Sequence, residues 1–99
     1  MYSKVALSIG GSDSGGGAGI QADLRTFMSI KVHGCTAITC ITAQNSIGVT
    51  DVEAVQNDML INQIDALFSD FEIQCLKTGM LLNESIITNT ATKIKEYSI

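Results

Sequence analysis

The segment Gly10-Gly11-Ser12-Asp13-Ser14-Gly15-Gly16-Gly17-Ala18-Gly19 holds most of the chemistry that residue type and spacing suggest on their own. It follows a short apolar run, Val5-Ala6-Leu7-Ser8-Ile9, and precedes residues with helical periodicity. Glycines in that setting permit positive φ and let backbone approach a ligand with no Cβ in between. A helix opening there would add free N–H groups and the positive end of its dipole. No Gly-Lys-Ser/Thr closes the segment, so it is not a Walker A loop. Nor is it a dinucleotide fingerprint, because Ile20 stands where a motif begun at Gly15 and Gly17 needs its last glycine. A plain turn needs far less glycine, and the spacing favours a ligand-contacting loop. The other polar candidates are weak singly. Asp23, early in the helix, would ordinarily just favour the dipole. Gln44 reads as a solvated strand-end residue, and Met80 as core filler. Cys35, Cys40 and Cys75 are odd in number, lie in apolar runs and form no C-x-x-C pair, and His33 is the lone histidine. They read as buried reduced thiols rather than a zinc site or a disulfide.

The elements that must position these residues alternate between strand and helix. Val5 to Ile9 is a buried strand ending in glycines. Ile20, Leu24, Phe27 and Met28 fall on one helical face. Cys35 to Thr42, rich in β-branched residues, is a second strand, and the polar stretch from Ala43 to Thr50, with Asn45, Ser46 and Gly48, is a turn. Asn57 or Asp58 caps a second helix whose apolar face is Leu60, Ile64, Leu67, Phe68 and Phe71. Ile73 to Leu76 is a third strand, and Asn83 or Ser85 opens a third helix with Ile87, Ala91 and Ile94 on its apolar side. Three βα repeats predict parallel strands in an α/β sheet.

Composition narrows the class. With 99 residues, 45% hydrophobic and 16% charged, the chain is predicted to be globular and ordered. A net charge of −4 argues against nucleic acid or an anionic membrane surface as the main partner. No targeting pattern is evident, and no run reaches the roughly 18 apolar residues of a membrane span. A cytoplasmic protein is the default expectation.

The order of residues in Gly10 to Leu24, through Ile20-Gln21-Ala22-Asp23-Leu24, is more specific than its glycine content. It resembles the amino-terminal signature of the hydroxymethylpyrimidine/phosphomethylpyrimidine kinases of thiamine biosynthesis. Thr42-Ala43-Gln44-Asn45 and Lys77-Thr78-Gly79-Met80-Leu81 continue the resemblance in the same order. The resemblance implies a ribokinase-like three-layer α/β sandwich, present here as a partial parallel sheet of about three βα units. It implies ATP-dependent phosphorylation of 4-amino-5-hydroxymethyl-2-methylpyrimidine and of its monophosphate, with Mg. It makes Gln44 the reader of the pyrimidine, and a carboxamide suits a ring-nitrogen acceptor beside an exocyclic amino donor. Asp23 accepts a hydrogen bond from the pyrimidine or holds the loop, Gly11 offers backbone to the ring, and Thr42 and Met80 pack on its faces. Lys77 and His33 read as structural or solvated, with no partner to name.

The resemblance also implies something lacking. In that family the glycine-rich anion hole, the residue that activates the hydroxyl and most nucleotide contacts lie in a carboxy-terminal half, and no second glycine loop follows Gly79. Residues 1–99 therefore read as the amino-terminal part of one phosphomethylpyrimidine kinase domain with the carboxy-terminal half absent. No residue here is named catalytic or metal-binding. The alternatives are a non-catalytic aminopyrimidine-binding module and an inactive truncated remnant. A pyridoxal or other vitamin kinase is the rival substrate reading. An incomplete sandwich would leave a strand edge and apolar faces exposed, which predicts self-association, poor folding, or a complementary carboxy-terminal half as partner.

Overall fold

The computed structural model describes residues 4–99. Its elements run β1 (Val5–Asp13), α1 (Gly19–Ser29), β2 (His33–Gln44), β3 (Val49–Ala54), α2 (Asn57–Asp70), β4 (Cys75–Thr78) and α3 (Glu84–Glu96). The sheet order is β3-β2-β1-β4, with β1 parallel to both β2 and β4. An inner parallel strand is covered on both faces and needs apolar or small residues throughout. Ala6, Leu7, Ser8 and Ile9 of β1 are accordingly all buried.

The pleat divides these residues between two layers. Leu7 and Ile9 join Cys35 and Ala37 on one face, where Leu60 and Ile64 of α2 and Ile86 of α3 complete the core. Ala6 and Ser8 face the opposite layer, against which α1 lies. Lys31, at φ +60°, reverses the chain after α1, and the Val32 N–H donates back to the Phe27 carbonyl at 2.9 Å. Asn83 caps α3 by accepting from the Ile86 N–H at 2.9 Å, while Lys93 and Lys95 suit the negative end of its dipole. A polar knot joins α2 to α3. Lys93 Nζ lies 2.9 Å from Asp65 Oδ1, and the Tyr97 hydroxyl donates to the same oxygen at 2.6 Å. The Tyr97 ring stacks on Phe68 with centroids 4.1 Å apart.

Several expectations need correction. The sheet is mixed, because β3 runs antiparallel to β2. The predicted turn from Ala43 to Thr50 is thus only partly a turn. Asn45 Oδ1 accepts from the Ile47 N–H at 2.9 Å, and this side-chain turn lets the chain double back without a crossover helix. All six residues of β3 are exposed, so it lacks the one-sided pattern that marks a strand in sequence. Glycine does not end β1, since Gly10 and Gly11 remain in the strand. The last strand is Cys75–Thr78, shifted toward the carboxyl side of Ile73 to Leu76. Neither Asn57 nor Asp58 caps α2, whose N-cap is Gln56 with no side-chain bond. On α3 the buried stripe is Ile86 and Thr90, while Ile87 is 50% exposed. On α1 only Ile20 is buried, and Leu24 and Met28 are exposed. Cys35 and Cys40 are buried but Cys75 is exposed. His33 has an aromatic neighbour after all, its ring stacking on Phe71 at 5.2 Å.

This packing predicts a contrast. Leu60→Ala opens a cavity in the core and lowers unfolding stability by about 2–5 kcal/mol. Ile87→Ala, on the open side of α3, stays within about 0.5 kcal/mol. Urea denaturation of the two variants checks both values.

Candidate functional site

The connectivity places a site before any side chain is considered. From β1 the chain passes through α1 to β2 on one side, then returns through α2 to β4 on the other. The carboxyl end of β1 is therefore a point where successive connections diverge, and α/β sheets bind ligands in the crevice such a point opens. A cavity of about 270 Å³ lies there. Its wall includes Gly10, Gly11 and Asp13 of β1, Asp23 of α1, Thr42 and Gln44 of β2, and Lys77 and Met80 at the end of β4.

The glycine loop forming one wall is closed on itself. Asp13 Oδ1 accepts from the Gly15 N–H and Oδ2 from the Ala18 N–H, each at 2.8 Å. Burial pushes the Asp13 carboxyl up, but the backbone N–H groups of Gly15, Ala18, Gly17 and Gly16 outweigh it and hold the group below the usual carboxylate range. The chain's own carboxylate thus engages the N–H groups of Gly15 and Ala18, in the loop ahead of α1. Gly19 opens α1 at φ +62°, and a Cβ there would stand 2.5 Å from the Gly11 carbonyl oxygen. Gln21 joins helix to strand, its Nε2 donating to Ser12 Oγ at 2.8 Å and its Oε1 accepting from the Asp13 N–H at 2.9 Å. Ser14 Oγ donates to the Gln44 carbonyl and accepts from the Gln44 N–H, both at 2.7 Å.

The five candidates Gly11, Asp23, Thr42, Gln44 and Met80 line this one cavity. Thr42 Oγ1 lies 2.7 Å from the Ser12 carbonyl oxygen and 3.0 Å from Gln44 Oε1, and its single proton serves one of them at a time. Met80 Sδ lies 3.7 Å from Cys40 Sγ, and its carbonyl accepts from Thr39 Oγ1 at 2.7 Å. Gly11 permits this approach, since a Cβ on it would stand 2.9 Å from Cys40 Sγ.

Lys77 does have a partner, contrary to the sequence reading. Its Nζ lies 3.0 Å from Asp23 Oδ2 and 3.2 Å from Oδ1. Ser8 Oγ donates to Asp23 Oδ2 at 2.6 Å. Partial burial pushes the Asp23 carboxyl up, but the Ser8 hydroxyl and the Lys77 ammonium together hold it below its ordinary value. Sequence reasoning missed Ser8 and Lys77 as a pair. The available signal was a polar residue, Ser8, inside the apolar run of β1 and a charged one, Lys77, inside the short β4.

The family described as phosphomethylpyrimidine kinase matches residues 13–99. A hydroxymethylpyrimidine/phosphomethylpyrimidine kinase of Synechococcus elongatus is 59% identical over 94 residues, covering 95% of this chain and 36% of that protein. The protein of the same description from Bacillus subtilis is 52% identical over 92 residues, covering 93% of this chain and 34% of its own. Among solved structures, a phosphomethylpyrimidine kinase from Clostridium difficile superposes with a TM-score of 0.93 at 44% identity, covering 96% of this chain and 41% of that one. A Bacillus subtilis pyridoxal kinase in complex with ADP gives 0.88 at 40% identity, covering 97% of this chain and 37% of that one. The chain spans about a third of the length of the curated relatives it matches.

Two predictions follow from the closed loop. The folded pKa of Asp13 lies below the ordinary 3.8, so its stabilising effect is full above that value and fades as pH falls through the lower folded value. Asp13→Asn melts lower than the parent chain at neutral pH and loses less on acidification below about pH 4, as melting curves across pH will show. Gly19→Ala forces a side chain into left-handed backbone against the Gly11 carbonyl and costs roughly 1–3 kcal/mol in urea denaturation.

Proposed function

The chain belongs to the phosphomethylpyrimidine kinase family and has its ribokinase-like α/β fold, and from that premise we propose that the cavity at the end of β1 is the pyrimidine side of a kinase site. The reaction we assign to the whole site is transfer of a phosphoryl group from ATP to the hydroxymethyl group of 4-amino-5-hydroxymethyl-2-methylpyrimidine and then to the monophosphate. The observation that carries this reading is the meeting of Gln44, Asp23, Thr42, Gly11 and Met80, from three separate sequence motifs, around one cavity. Gln44 meets the aminopyrimidine edge with a donor and an acceptor. Asp23 accepts from a remaining N–H or O–H of the ligand, Gly11 leaves room for the ring against backbone, and Thr42 and Met80 pack on its faces.

The ATP and Mg that the family implies do not fit this lining. The Asp13 carboxylate already engages the loop N–H groups of Gly15 and Ala18 that would cradle a phosphate. Among the described residues no three of His, Cys, Asp and Glu gather to hold a cation. No step of phosphoryl transfer is routed through these residues. We assign residues 1–99 to the amino-terminal part of one kinase domain, with the transfer machinery in a complementary carboxy-terminal portion. The length relative to the relatives supports this, as does β4 at an open edge of the sheet. The chain associates with that portion or with itself through the open edge and through exposed Ile41, Val49 and Val52 on β2 and β3. Among the described residues no helix is long and apolar enough to cross a membrane; on the strength of the family we place the protein in the cytoplasm.

Pyridoxal is the competing ligand, because a pyridoxal kinase shares this fold at 40% identity. Calorimetric titration of the chain with the hydroxymethylpyrimidine and with pyridoxal tests the assignment. Saturable binding of the pyrimidine is expected, weakened about tenfold or more by Gln44→Ala, the scale of one or two hydrogen bonds. A folded chain that binds pyridoxal alone, or neither ligand, overturns it.

A further inference from the structure

Three side chains from three elements meet beside the cavity. Ser8 and Lys77 are register partners on the parallel strands β1 and β4. Directly paired residues project to the same face of a sheet, here the face that α1 covers. Asp23 descends from α1 between them. Ser8 is fully buried, and its hydroxyl donates to Asp23 Oδ2 at 2.6 Å. Lys77 reaches both carboxylate oxygens, at 3.0 and 3.2 Å. The Lys77 side chain is 45% exposed and Asp23 only 21%, so the carboxylate is held between a dry hydroxyl and a wetter ammonium.

We infer that Lys77 is a positioning residue of the pyrimidine site, acting through Asp23, whose carboxylate it holds aimed into the cavity. The inference rests on the proposed pyrimidine reading and adds to it a residue that acts through Asp23. A carboxylate has about four acceptor positions. Ser8 and Lys77 occupy those directed at the sheet, which leaves acceptor capacity on Oδ1 for a ligand donor. Charge points the same way. Among the described residues, the charged groups of the lining are Asp13, Asp23 and Lys77, and Asp13 is engaged with its own loop. Without Lys77 the described lining would hold no cation beside these carboxylates, and Ser8 alone would hold Asp23. A mere helix-to-sheet strut needs no such placement, since an apolar pair would tie α1 to the sheet as well.

The test separates aiming from strutting by changing the ligand as well as the protein. The full chain, Lys77→Met and Lys77→Arg are titrated calorimetrically with 4-amino-5-hydroxymethyl-2-methylpyrimidine, with its analogue lacking the amino group, and with its analogue lacking the hydroxyl. Lys77→Met is expected to bind the parent pyrimidine about tenfold more weakly, the scale of one charge-assisted hydrogen bond. That loss disappears for whichever analogue lacks the donor Asp23 accepts, and Lys77→Arg recovers most of the parent affinity. Should Lys77→Met fail to fold, Lys77→Gln, which keeps the polar stem without the charge, takes its place with the same expected pattern. An equal loss on all three ligands, or no loss on any, overturns the inference while leaving the pyrimidine reading intact. Failure of the parent chain, shown to be folded, to bind the parent pyrimidine overturns that reading and the inference with it.

Discussion

The pairing of β1 with a parallel neighbour on each side governs nearly everything else in this molecule. Because β1 is enclosed, its residues must serve two layers at once, and the two-residue pleat decides which. Leu7 and Ile9 anchor the core under α2 and α3, while Ser8 faces α1 and becomes a hydrogen-bond donor to Asp23. The same register that seals the core sets Lys77 beside Ser8. A slip of one residue in β4 would send Lys77 into the apolar layer and Leu76 out of it. Core packing and site chemistry are thus enforced by one alignment.

Beyond the strand, the glycine segment works differently from a phosphate cradle. Its glycines serve close approach, with Gly19 against the Gly11 carbonyl and Gly11 against Cys40, and its N–H groups turn inward to Asp13. The result is a hydrogen-bonded rim beside a cavity of about 270 Å³.

Much of this was legible in the residues. The apolar run into glycine located β1, the helical spacing located α1 and α2, and Asn83 was one of two residues, with Ser85, that read as opening α3. The motifs also brought out five residues that the fold gathers on one cavity. What escaped has physical causes. The strand β3 is exposed throughout, so no buried face imposes alternation on it. The stripe on α3 is set by which side meets α2, and a helix that buries few residues carries too little pattern to show its orientation. Lys77 and Asp23 lie 54 residues apart, and only the β1–β4 register brings them together. Asp13 drew no reading of its own from the sequence, because its partners are backbone groups, which leave no trace in side-chain spacing.

The self-closure around Asp13 bears on how a ligand would be received. A glycine-rich segment is the costliest kind of chain to immobilise, since each glycine has more backbone freedom to lose than any other residue. Here Asp13, Gln21 and Ser14 hold it between strand and helix through hydrogen bonds internal to the chain. The entropy of ordering is therefore met during folding, and any ligand entering the cavity would encounter a preorganised wall whose shape it does not have to induce.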